Sequence, residues 1–304
     1  NFCKALVVYP FSKSTTSHPW RGATLRKTWK EAGLILINLL IVASLIVGAE
    51  LWLQKHFRAG LAPVAIVVCL GTYLAACRWI ERRTPAELAL PYALPELGIG
   101  MLGGLGLFSL TMAILWACGV YHPSGWGSLD HLGGGFVPAL LGGVIEEILF
   151  RGLLFRLIAK LLGTWGALAL TAAFFGFAHL ANHGATAGSA VAIALEAGVL
   201  LGAAYAATTR LWLPIGLHFA WNFTEGSIFG MTLSGNPMAS GVIRGSLSGP
   251  RILTGGEFGP EASIVAVVVC LAAALYLIYR IARLHLAEPP VWSESAPQIA
   301  AAQD

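Results

Sequence analysis

Two adjacent glutamates, Glu146 and Glu147, lie inside an apolar run at 136–155, with Arg151 four residues after Glu147. Phe175-x-x-x-His179 follows, with His183 just beyond it, and then His218-x-x-x-Asn222. These residues supply two carboxylates, a guanidinium, imidazoles and an amide. One ionised side chain near a bilayer centre costs at least ~2.5–3.5 kcal/mol, so such groups are kept where they pair or do work. At about 100° per helical residue, Glu147 and Arg151 share a face, about 40° apart, whereas Glu146 points about 140° away from Arg151. Glu147 and Arg151 are therefore expected to neutralise each other, leaving Glu146 to face another element. His218 and Asn222 have the same four-residue spacing and should project together. A carboxylate facing histidines and an amide suits hydrolysis. The carboxylate takes a proton from water, while imidazole and amide hold that water and stabilise the oxyanion of a tetrahedral intermediate.

The elements that must position these groups are membrane spans. The chain has 304 residues, 57% hydrophobic and 11% charged, with a mean hydropathy of +0.73. A soluble domain carries about 25% charged residues. A net charge of +4, spread along the chain, does not suggest nucleic acid. The five cysteines follow no metal or redox spacing, and those at 69, 77, 118 and 270 are expected to be small buried hydrophobes. The chain opens on Asn1, so a lost leader stays open.

A spanning helix needs about 20 mostly apolar residues. Eight stretches qualify: 33–53, 61–80, 97–120, 136–158, 164–181, 189–209, 211–230 and 262–281. The expectation is an all-α, polytopic membrane protein of about eight spans with its site inside the bundle. Residues 1–32 form an N-terminal tail, 33–283 the helical domain with its core at 136–230, and 284–304 a polar, disordered tail. Residues 81–96 read as a surface connection or a short interfacial helix, and 231–261 as an irregular outside loop. Apart from Arg151, fourteen Lys and Arg fall on the side of the termini and four on the other, which predicts both termini cytoplasmic.

The three ordered motifs, Glu146-Glu147-x-x-x-Arg151, Phe175-x-x-x-His179 and His218-x-x-x-Asn222, resemble those of the CPBP family (CAAX protease and bacteriocin-processing enzyme), also called the Abi or type II CAAX-protease family. The stretch 207–218 resembles the family's lead-in to its last histidine, and the likeness covers about 141–222. It implies an intramembrane endopeptidase in which a glutamate activates water. Carried over by position, Glu146 is the base, and His179 positions the water or leaving group. His218 and Asn222 form the oxyanion side, with Glu147 and Arg151 supporting. The implied partners are membrane lipid and a membrane-associated peptide or protein substrate.

Several points stand beside that reading. Counted from helix starts at 164 and 211, His179 sits about 12 Å deeper than His218. His183, Glu196 and Glu225 match no family motif; His183 reads as interfacial, the glutamates as packing or water-cavity groups. Glu146, His179 and His218 also compose a His₂Glu zinc set. A metal-free glutamate mechanism is preferred, because His-Glu-x-x-His is absent and Asn222 is then explained. The rival functions are a silent scaffold or immunity-like protein of the same fold, and a transporter or proton relay. A transporter should show repeated broken helices, and the sequence has no internal repeat.

Overall fold

The computed structural model describes residues 25–56, 62–238 and 241–291. Helix α1 (Leu25–His56) packs beside α2 (Ala62–Trp79); two 3₁₀ turns (Ala86–Leu88 and Leu90–Tyr92) then lead into α3 (Ala93–Ala117). After strand β1 (Tyr121–Trp126), α4 (His131–Leu141) continues into two π-helical segments, Gly142–Glu146 and Ile148–Phe155, and on into α5 (Arg156–Ala178). A 3₁₀ turn at His179–Ala181 precedes α6 (Ala187–Ile193), the π segment Ala194–Gly198 and α7 (Val199–Thr208). Helix α8 (Trp212–Phe223) ends in the π segment Thr224–Ile228. Strand β2 (Ile243–Leu247), the short α9 (Arg251–Thr254), a 3₁₀ turn (Pro260–Ala262) and α10 (Ile264–Arg283) complete the chain.

Among the described residues five helices are long and apolar enough to cross a membrane, at 28–45, 86–117, 131–181, 187–208 and 264–283; α2 is apolar but shorter. At about 1.5 Å per residue, the run 131–181 is more than twice the thickness of a hydrocarbon core. It doubles back at Gly163, whose φ of 72° interrupts the helix, and Phe150 packs edge-on to Phe175 at 4.9 Å between ring centroids. Glycine is required at 163 twice over, by the positive φ and because a Cβ there would lie 2.6 Å from the carbonyl oxygen of Glu288. Thr164 and Glu288 exchange two hydrogen bonds at this turn. The start of the C-terminal tail is therefore docked against the bundle rather than disordered, and residues 292–304 lie outside the described residues.

Two further expectations are corrected. The loop 231–261 is not wholly irregular: β2 pairs antiparallel with β1, from Tyr121 opposite Leu247 to Trp126 opposite Ile243. The sequence Tyr-His-Pro-Ser-Gly-Trp has no alternating pattern, so the partner about 120 residues away supplies the order. Cys118, just past the end of α3, is exposed, whereas Cys69, Cys77 and Cys270 are buried as expected. The largest core cluster joins Ile35 and Val42 of α1, Tyr73 of α2, Leu153 and Phe155 of the second π segment, Leu168 of α5 and Ile215 of α8. Helix α3 packs along α8. Gly104 permits this approach, since a Cβ there would sit 2.3 Å from the Leu217 carbonyl oxygen. That contact holds the turn of α8 carrying His218.

Candidate active site

Glu146 ends one π segment, and Glu147 stands at the junction with the next. Pro138, one turn before Gly142, has no N–H to give to the helical ladder. The ladder then continues in wider turns of the kind frequent at functional sites. A Cβ on Gly142 would lie 3.0 Å from Asn222 Nδ2, 3.6 Å from His218 Nε2 and 3.7 Å from Glu146 Oε1. Three polar atoms from two elements thus converge on one spot, which stays open because residue 142 has no side chain.

Glu147 and Arg151 are fully buried. Arg151 Nη1 donates to Glu147 Oε1 at 2.7 Å, as their spacing predicted. Arg151 Nη2 donates to the carbonyl oxygens of Ala197 and Gly198 at 3.3 and 3.2 Å, and the guanidinium lies 4.7 Å from the centre of the Phe175 ring. Glu147 also does something its pairing with Arg151 alone did not foretell. Its Oε1 accepts from His218 Nδ1 at 2.9 Å. A carboxylate only accepts, so the Nδ1 proton is fixed there and Nε2 is the nitrogen turned toward Glu146 and Asn222.

His179 follows the last residue of α5, and its Nδ1 donates to the Phe175 carbonyl at 2.8 Å, again leaving Nε2 free. The Phe175 ring lies 4.7 Å from the His179 ring and 6.0 Å from that of His218. The two histidines thus flank one phenylalanine ring despite the depth difference counted from helix starts.

Two cavities meet at this site. The larger, about 340 Å³, is bordered by Glu146, His179, Asn182 and Asn222 at one end. Its walls are apolar, with Leu45 of α1, Val68 and Cys69 of α2, and Leu141 and Ile145 beside the glutamates. The smaller, about 30 Å³, is bordered by His179, His218, Trp221, Asn222, Glu196 and Glu261. Among the described residues no group of three or more His, Cys, Asp or Glu side chains is placed to hold a metal ion.

The structure thus brings Glu146, His218 and Asn222 to one spot, with His179 bordering the same cavity and Glu147 and Arg151 behind. His183 is exposed and stands apart. Sequence reasoning missed Asn182, whose Nδ2 donates to the Ser234 carbonyl at 2.9 Å, and also Ser234 and Glu261 from the loop after α8. These loop residues have no periodicity to signal a site.

The fold and this buried polar centre define a multi-pass membrane protein with a reaction-like site inside its helices. Residues 129–224 match the family model Rce1-like, described as type II CAAX prenyl endopeptidase Rce1-like. The resemblance carried by the three motifs is therefore met over the segment from just before α4 to the end of α8. No curated protein and no solved structure matches the chain.

Proposed function

We propose that this protein is an intramembrane endopeptidase in which Glu146 activates the attacking water without a metal. The observation that carries the reading is the convergence of Glu146 Oε1, His218 Nε2 and Asn222 Nδ2 on the open spot beside Gly142. Water held there gives a proton to Glu146 as its oxygen attacks the peptide carbonyl carbon. The resulting oxyanion is met by the Asn222 amide and by the His218 ring, whose positive charge Glu147 balances from behind. When the intermediate collapses and the C–N bond breaks, the proton on Glu146 passes to the leaving nitrogen. His179 orients water or leaving group from the cavity wall. The apolar walls of the larger cavity favour a substrate whose scissile bond adjoins an apolar segment or lipid group. All eight apolar stretches enter this reading as spans, with both termini on the cytoplasmic side.

The test is cleavage of membrane-anchored peptides, some prenylated and some not, by the purified protein in liposomes. Wild type should cut at least one class, and Glu146→Gln none. Equal cleavage by wild type and Glu146→Gln would remove the glutamate-base reading. No cleavage of any peptide by either would shift weight to a silent scaffold.

A further inference from the structure

Three glutamates that the endopeptidase reading does not use meet on the far side of His179. Glu196 lies in the π segment Ala194–Gly198, Glu225 in the π segment Thr224–Ile228, and Glu261 in the 3₁₀ turn before α10. Each is at most 2% exposed. The Glu225 carboxyl meets that of Glu261, the Glu261 carboxyl also contacts Ser234, and Glu196 contacts Cys270 of α10. Ser263 fixes the place of Glu261 by capping α10, accepting from Ala266 N at 3.1 Å. The imidazoles facing Glu261 are those of His179 and His218. Arg151, the buried arginine nearby in sequence to the site, is occupied by Glu147 and by the carbonyls of Ala197 and Gly198.

Buried carboxylates in contact cannot all be ionised, because each charge disfavours the next and burial disfavours them all. Such a cluster therefore holds protons in common. Outside this pair, no other residue donates a hydrogen bond to either oxygen of Glu225 or to Oε1 of Glu261. An independent group points the same way. Trp221 is 7% exposed, its Nε1 has no hydrogen-bond partner, and it borders the 30 Å³ cavity together with Glu196 and Glu261. A cavity of that size has room for a water, and within its largely apolar lining Glu196, Glu261, His179 and Asn222 offer it polar partners. His179, Asn222 and Ser234 border this cavity and the larger one alike. His179 is thus a partition with Glu146 on one side and the carboxyl cluster on the other.

We propose that Glu196, Glu225 and Glu261 form a proton-sharing cluster that exchanges a proton with His179 through water in the small cavity, with Glu261 as the positioning residue nearest the ring. One proton leaves a Glu261 carboxyl oxygen and arrives at His179 Nε2, so the cluster becomes one charge more negative and the ring one more positive. The reverse transfer restores both. The consequence for turnover rests on the endopeptidase reading; the shared protons do not.

Two measurements on the full chain in liposomes test this. Infrared difference spectra taken across a pH titration should show the carbonyl stretch of protonated carboxyls, diminished in Glu225→Gln and in Glu261→Gln. Absence of any such band, or a band unchanged in both variants, overturns the cluster, as does its loss on adding calcium or magnesium, which would make the site one for a cation. The second measurement is the pH profile of kcat. If the cluster exchanges its proton with the His179 side of the site, Glu261→Gln should displace the alkaline limb of that profile. KM should stay as in wild type, and Glu261→Asp should restore the profile. A uniform fall in kcat with no displaced limb would mean a merely structural role and overturn the exchange with His179. If Glu261→Gln does not fold, Glu225→Gln, which removes a carboxyl from the same cluster, carries both measurements. Should Glu146→Gln prove as active as wild type, the base assignment falls while the infrared result still decides the cluster.

Discussion

Two buried charged regions of this protein are built on opposite plans. At the end of α2, Glu81 accepts from Arg83 Nε at 2.7 Å and from Arg156 Nη2 at 2.5 Å. Glu87 accepts from Arg83 at 2.7 Å and from the Tyr73 hydroxyl. Two carboxylates meet two guanidiniums, and no atom of these four charged groups is left buried without a partner, although Asn38 Oδ1 at the edge is. Around the candidate site the count runs the other way. Glu146 Oε2, Glu147 Oε2, Arg151 Nε and Trp221 Nε1 are all buried without partners. Unmet buried groups cost roughly 1–3 kcal/mol each, and native proteins keep few of them. The first region is a lock joining α1, α2 and the start of α5. The second is held ready for groups that arrive.

That contrast can be broken by substitution. The largest effect is expected for Glu146→Gln, which should lower kcat about 10²–10⁴-fold while leaving the thermal midpoint in detergent within error of wild type. A stable, fully active Glu146→Gln protein would erase the distinction between the regions. Arg151→Ala takes the guanidinium from the buried Glu147 and leaves it only the His218 ring; it should cost about 3–5 kcal/mol, seen as a collapse in folded yield on size-exclusion chromatography. Asn222→Ala removes an oxyanion donor and should lower kcat by about 10²–10³, with circular dichroism unchanged. The smallest effect belongs to the lock. Burial pushes the Glu81 carboxyl up, but Arg156 and Arg83 outweigh that and hold it at about 2, below the usual 4.5. A depressed folded value stabilises the protein above the unfolded value, and that contribution disappears as pH falls toward 2. Thermal midpoints should therefore drop between these two pH values in wild type. They should drop less steeply in Glu81→Gln, whose kcat should match wild type at neutral pH.

Much of the site was legible because its signals are local. The four-residue spacing of Glu147 and Arg151 foretold their ion pair, and that of His218 and Asn222 foretold that both face one spot. What was not legible has a common cause. A uniform 100° rotation per residue ignores the π segments around Glu146, Glu196 and Glu225, which widen the turn. Nothing in Gly-Gly-Val-Ile-Glu announces that widening. Span boundaries are likewise not written in apolar length alone, since α8 has 12 residues before its π segment and 131–181 is one apolar run that Gly163 folds back on itself.

The sequence by itself determined that the chain lives in a membrane, which polar residues stand in its apolar runs, and which family's motifs they resemble. These follow from apolar length and from short spacings, both written along the chain. Only the tertiary structure decided that Glu147 grips His218, that the histidines share a cavity wall, and that Glu261 from a loop joins Glu196 and Glu225 beneath it. Those meetings link residues dozens of positions apart. They depend on where helices turn and how closely glycines let them pack, and no local spacing encodes either.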